Sequence, residues 1–307
     1  MLFPGLIIHP IGIAPGAGQA GRPLTPLSLW RAWNWEPTLL VGLSGLALLY
    51  AYGVCQLWGR AGSGHGITHW QAVALGGGWL ALVVAFVSPL DALSAGLFSA
   101  HMVQHELLML IAAPLLVLGR PLVGLLRGLP LTWRSAIGRW WCKSTTLRSI
   151  WRAITAPLVA WLLHAVALWA WHAPVLYQAA LESQSIHLVQ HGCFLGSALL
   201  FWCTVIHGRH GRMGYGIAVL AIFATAVHSS LLGALITLAP SPWYPAHLET
   251  TAAWDLSPLE DQQLAGLIMW VPAGVIYVTA ALALFAAWLV EAERRVRQRE
   301  ALAHRPR

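Results

Sequence analysis

The sequence predicts an all-α polytopic membrane protein with seven transmembrane helices, its N-terminus outside and its C-terminus in the cytoplasm. Three observations carry this. Of 307 residues, 58% are apolar and only 9% are charged, where an ordinary soluble domain carries about 25% charged residues. Seven segments hold roughly 20 mostly apolar residues each, the length needed to cross a bilayer. Sixteen of the 18 Lys and Arg fall on one side of a seven-span arrangement. So few charges cannot coat several soluble domains, and the apolar, non-repetitive composition excludes disorder, collagen and coiled coil.

The chain opens with an expected extracytoplasmic tail, residues 1–37. Its apolar stretch at 2–13 is short, is broken by Pro4 and Pro10, and lacks the positive start of a signal peptide, so no cleavage is expected. Spans are expected at residues 38–58, 70–88, 97–118, 153–171, 186–206, 215–239 and 264–290, so that 38–290 form one bundle. Residues 291–307 read as a basic cytoplasmic tail that extends the last helix.

The connections fix the orientation. Arg60 follows span one, and Arg209 and Arg212 follow span five. The long link after span three carries Arg120, Arg127, Arg134, Arg139, Lys143, Arg148 and Arg152; the tail carries Arg294, Arg295, Arg297, Arg299, Arg305 and Arg307. The other two basic residues, Arg22 and Arg31, lie in the N-terminal tail, and the links after spans two, four and six carry none. Basic loops stay in the cytoplasm. The net charge of +7 therefore marks topology anchors and gives no basis for nucleic-acid binding. Residues 131–152, with Trp133, Trp140, Trp141 and Trp151 among basic side chains, are expected to lie along the inner surface of the lipid bilayer as an amphipathic stretch. Pro114 and Pro272 sit inside spans three and seven, where each frees backbone carbonyls and is expected to kink its helix. Gly76, Gly77 and Gly78 are expected to permit close helix packing. Cys55, Cys142, Cys193 and Cys203 form no CxxC pair and no disulfide framework, and Cys193 is expected to be buried in packing.

Fourteen histidines are the chemical signal. Ionisable residues inside a membrane are costly and mark function. His101 and His105 are four apart near the start of span three and share a helix face, with Met109 one turn deeper and Met102 beside them. His187 and His191 repeat the spacing on span five. His172 ends span four, with His164 two turns deeper; His228 lies on span six and Met269 near the start of span seven. The candidate metal ligands are His101, His105, His187, His191, His172, Met109, Met269 and His228. Neutral imidazole binds transition metals, and thioethers favour Cu(I). His207 and His210 fall at the inner surface and His65 and His69 near it, apart from this set. Glu106, about 100° around the helix from His105, is expected to hydrogen-bond a metal-ligating side chain, to carry a proton, or to hydrogen-bond between helices.

Other chemistries use the same residues differently. A bis-His haem needs one axial ligand from each of two facing helices, and His164 and His228 have suitable depths. A seven-span zinc hydrolase would draw on the outer histidines and Asp261 to activate water. A transporter or scaffold would use the histidines as polar glue. The run His105-Glu106-Leu107-Leu108-Met109 misses the zinc-protease HExxH pattern because Met109 stands at the second histidine.

The stretch His101-Met102-Val103-Gln104-His105-Glu106-Leu107-Leu108, followed by Ala113-Pro114-Leu115-Leu116-Val117-Leu118-Gly119-Arg120-Pro121, resembles the hallmark of the CtaG-type cytochrome c oxidase assembly factors of bacteria. Trp169-Ala170-Trp171-His172-Ala173-Pro174-Val175-Leu176-Tyr177 is similar to their next motif. His187-Leu188-Val189-Gln190-His191 with Phe194-Leu195 resembles the third, and Asp261-Gln262-Gln263-Leu264-Ala265-Gly266-Leu267-Ile268-Met269-Trp270 the last. The resemblance covers roughly residues 37–289. Where the family often has an acidic residue before the second histidine of the third motif, this chain has Gln190. The resemblance implies a seven-span protein of the bacterial plasma membrane that helps to mature a haem-copper oxidase. It implies copper, as Cu(I), supplied to the buried copper centre of the oxidase catalytic subunit, received from a periplasmic copper donor. Such transfer would be ligand exchange and not enzymatic catalysis.

Overall fold

A computed structural model of the protein describes residues 25–208 and 214–303, which are almost entirely helical and include no strand. Arg22 with most of the N-terminal tail, Arg209, His210, Arg212, Arg305 and Arg307 lie outside the described residues.

Six helices are long and apolar enough to cross a membrane, and a seventh span results if one bent pair counts as one. The first two are α1 (Pro37–Ala61) and α2 (His69–Phe86). Each starts where the sequence says it should. Pro37 sits in the first turn of α1, where a missing N–H costs nothing. Thr68 and Gln71 close a capping box on α2. A short helix, α3 (Pro89–Gly96), then leads into the third span.

That third span is the central one: 61% of its apolar window is buried, against 17% for the first and last spans. It is built from α4 (Phe98–Glu106), a π-helical segment (Leu107–Ala112) and α5 (Ala113–Leu118). Pro114 explains the widened turn. It has no N–H to donate, and its i−5 partner, the Met109 carbonyl, instead accepts from Trp202 Nε1 at 2.9 Å. Pro272, by contrast, sits inside the last helix without ending it.

A short α6 (Pro121–Gly128) follows and packs against α1. The expected amphipathic stretch is two helices, α7 (Leu131–Lys143) and α8 (Thr145–Ile154), neither with a buried residue. Trp133 and Trp140 stand out among their exposed side chains. Span four departs from expectation. Its apolar helix α9 (Pro157–His172) has 16 residues, about 24 Å at 1.5 Å per residue, short of a bilayer core of about 30 Å. It reaches spanning length only together with α8, from which it bends by 66°. Pro157 takes the first turn of α9, because a residue without an N–H starts a helix more readily than it continues one.

The remaining helices are α10 (Pro174–Glu182), α11 (Gln184–His207), α12 (Gly214–Thr237) and α13 (Pro258–Ala303). The end of α13 carries the i,i+4 ion pairs Arg295–Glu291 and Arg297–Glu293, as expected of a charged extension. The outward faces are apolar: Leu158, Val166, Leu220, Phe223, Val275 and Leu282 are all exposed, as lipid contact requires. Of the glycine run, only Gly78 is tightly packed, where a Cβ would come within 3.0 Å of Leu116. The four cysteines are free, and Cys193 is exposed rather than buried. It lies two residues from inward-facing His191, and a 200° rotation turns it to the outside of the bundle.

Candidate metal centre

α4 carries His101 and His105 on one face, and α11 carries His187 and His191 on one face. The two faces meet. His101, His105 and His191 are all buried and each offers a ring nitrogen, with the three nitrogens within 4.8 Å of one another. Ring centroids lie 4.3 Å apart for His101 and His105, 5.4 Å for His105 and His191, and 6.0 Å for His101 and His191. His187, half-buried one turn earlier on α11, is 5.3 Å from His101 and 4.2 Å from His191. His172, from the end of α9, is 6.0 Å from His105.

These rings are poorly satisfied as ordinary core residues. Both nitrogens of His105, both of His101, and Nε2 of His187 and of His191 are buried without a hydrogen bond. For His101 the Ser94 carbonyl is close enough to act electrostatically but lies outside hydrogen-bond geometry. A buried polar atom left unpaired costs about 1–3 kcal/mol, so such a cluster asks for a ligand. The donor set is neutral imidazole, which suits copper, zinc or nickel. Three rings converging within one coordination sphere fit such an ion.

The surroundings hold the rings in place. α4 has no side-chain cap of its own. Asp261, in the first turn of α13 and fully buried, supplies it: Oδ2 accepts from Phe98 N at 2.7 Å and Oδ1 from Ser99 N at 3.1 Å and from Ser99 Oγ. Gln104, also buried, donates to the Ala85 carbonyl at 2.7 Å and to Asp91 at 3.1 Å. Asp91 in turn accepts from Asn34 at 2.9 Å, and burial raises its carboxyl above the usual range. The loop between α12 and α13 covers the cluster. Tyr244 donates to the His172 carbonyl at 2.9 Å, and Tyr177 pairs with His247 Nε2 at 2.9 Å. Thr250 ties the same loop to the Gly96 carbonyl at 2.6 Å. Burial pushes the phenols of Tyr177 and Tyr244 up and holds the His247 imidazole below its ordinary value.

Comparison with known proteins bears on what this arrangement serves. Residues 48–291 match the Caa3_CtaG family, described as cytochrome c oxidase caa3 assembly factor. The chain belongs to that family. Among curated relatives are the uncharacterized proteins Mb0105 of Mycobacterium bovis and MT0111 of Mycobacterium tuberculosis, each 27% identical over 289 residues and 91% of this chain. The chain spans 42% of the length of these relatives. No solved structure matches it.

All four stretches that carry the Caa3_CtaG resemblance converge on the cluster. The first gives His101, Met102, Gln104 and His105; the second His172 and Tyr177; the third His187 and His191; the last the Asp261 cap. Other candidates are placed elsewhere. Met109 and Met269 lie in the apolar core, with the Met109 carbonyl engaged by Trp202. His228 is half-buried between Trp161, 5.8 Å away, and Trp169, whose indole N–H reaches it at 3.4 Å. His164 bonds Ser197 at 3.1 Å and stacks on Phe201. His69 bonds Ser63 at 3.2 Å. Glu106 is turned from the rings, with one carboxyl oxygen buried and unpaired and Tyr277 near it. The contact of Met102 with His172 and the places of Tyr244 and His247 beside the cluster were not singled out from the sequence. Met102 had a weak signal, its place between the two histidines; the loop residues had none.

Proposed function

We propose that this protein binds Cu(I) at His101, His105 and His191 and supplies it to the buried copper centre of a haem-copper oxidase catalytic subunit. The convergence of those three nitrogens, buried and without other partners, is the observation that carries the reading. Neutral imidazoles suit copper without adding charge to a low-dielectric site. Among the described residues no carboxylate joins the three rings, which favours a carrier over a hydrolytic zinc centre needing an acid–base group. The family description supplies the oxidase. In this reading the protein resides in the bacterial plasma membrane, with the histidine end on the outer face, as the basic links argue. A periplasmic donor delivers copper past half-buried His187, and release is ligand exchange.

The test is copper retention after anaerobic Cu(I) loading and desalting in detergent, with wild type, H191A and H228A side by side. Wild type and H228A retain copper at a tight site, because His228 stands apart between tryptophans. H191A loses it. Wild type that holds no copper, or H191A that holds as much as wild type, refutes the proposal.

A further inference from the structure

His172 Nδ1 lies 2.6 Å from the Leu168 carbonyl. A carbonyl can only accept, so Nδ1 carries the proton. A neutral imidazole has a single N–H, which leaves Nε2 a bare lone pair. That nitrogen is 3.3 Å from the sulfur of Met102, and a thioether has no proton to offer. Two donors of electron pairs therefore face each other, on residues only 3% and 0% exposed. An unrelieved contact of this kind is unfavourable; a cation between the donors makes it favourable.

We infer that His172 and Met102 form a second, softer copper site adjoining the three-histidine site, with His105 shared between the two. The inference rests on the copper reading above. With metal–nitrogen and metal–sulfur bonds of about 2.0 and 2.3 Å, the 3.3 Å separation corresponds to an angle of about 100° at the ion, ordinary for three- or four-coordinate metal. His105 completes the set. Its ring is 6.0 Å from His172, 4.3 Å from His101 and 5.4 Å from His191, and both its nitrogens are unpartnered. Phe194 packs beside both rings, 4.4 Å from His105 and 5.7 Å from His172. A neutral imidazole offers one lone pair, so His105 serves one ion at a time: an ion held by His101, His105 and His191 can exchange His101 and His191 for His172 and Met102 while His105 remains bound, and a second ion then enters at His101 and His191. The ion never becomes bare in a dry interior, and no electron or proton moves. Gaining a thioether makes the second position the more selective for Cu(I).

The experiment is X-ray absorption on the full chain in detergent, loaded anaerobically with successive equivalents of Cu(I), for wild type and Met102→Leu. Leucine conserves volume, and a thermal melt of the copper-free proteins checks folding. The first equivalent shows nitrogen ligands only. The second adds a sulfur scatterer at about 2.3 Å, and Met102→Leu loses that sulfur and the second copper while keeping the first. If wild type shows only nitrogen at every loading, or Met102→Leu titrates like wild type, the second site is overturned and the three-histidine site stands. One copper per chain with mixed nitrogen and sulfur also overturns it, in favour of a single composite site. Failure of wild type to bind any copper overturns this inference together with the reading beneath it.

Discussion

Replacing Asp261 with Asn tests whether the last span holds α4, the helix that carries His101 and His105, in place. The side chains are nearly isosteric, but one acceptor oxygen becomes an N–H₂ facing N–H and O–H donors. Three donors now converge on the carboxylate: Phe98 N, Ser99 N and Ser99 Oγ. A hydrogen bond to a charged group contributes about 1.5–3 kcal/mol, and a buried donor left unpaired costs about as much. The loss of at least one partner, with weakening of the others, puts D261N at about 2–4 kcal/mol below wild type. S99A deletes only the hydroxyl bond and leaves both backbone donors, so it should cost about 1.5 kcal/mol, the low end of that range. His101 and His105 follow the cap within two turns, so loosening α4 spreads the nitrogen set. Loss of a residue that orients metal ligands typically lowers affinity about 10–100-fold. Thermal unfolding of the copper-free variants reads the first effect, and Cu(I) titration against a competing chelator reads the second. If D261N melts with S99A and binds copper as tightly as wild type, the carboxylate does not position the site.

Two further outcomes follow from the central span and its packing. W202F leaves the Met109 carbonyl without its donor and should cost about 1–3 kcal/mol in thermal unfolding; because Pro114 creates that orphan, the W202F/P114A double variant should be less destabilised than the sum of the two singles, as a double-mutant cycle would show. G78A drives a Cβ to 3.0 Å from Leu116 and should cost about 1–3 kcal/mol, whereas G76A, with nothing within 4 Å, should melt close to wild type.

Much of the fold was legible because a bilayer imposes a strict code on sequence. Span lengths, the basic links and the charged extension of α13 could be read from hydropathy and charge alone. The exception was span four, where the segment 153–171 is as apolar as its neighbours but Pro157 makes α9 a helix of 16 residues set at 66° to α8. Hydropathy averages over a window and does not register that break. Pro114 was legible as a disturbance, but not the π turn it leaves or the Trp202 indole that satisfies the freed carbonyl, since that partner lies 93 residues away.

The site divides the same way. By itself the sequence determined the two i,i+4 histidine pairs, because 3.6 residues per turn put such pairs on one face wherever the helix lies. It also determined that His101, His105, His172, His187 and His191 share one end of the bundle, because alternating spans assign depth. Only the tertiary structure decided which faces turn toward one another. Rotation about each helix axis is set by packing against neighbours, and no local pattern encodes it. That is why His228 and Met269, at plausible depths, face tryptophans and apolar core, while Met102 points its sulfur at His172. It is also why Asp261, readable as a possible ligand, serves as the missing cap of α4: a helix end without a side-chain cap draws its acceptor from whatever the fold brings near.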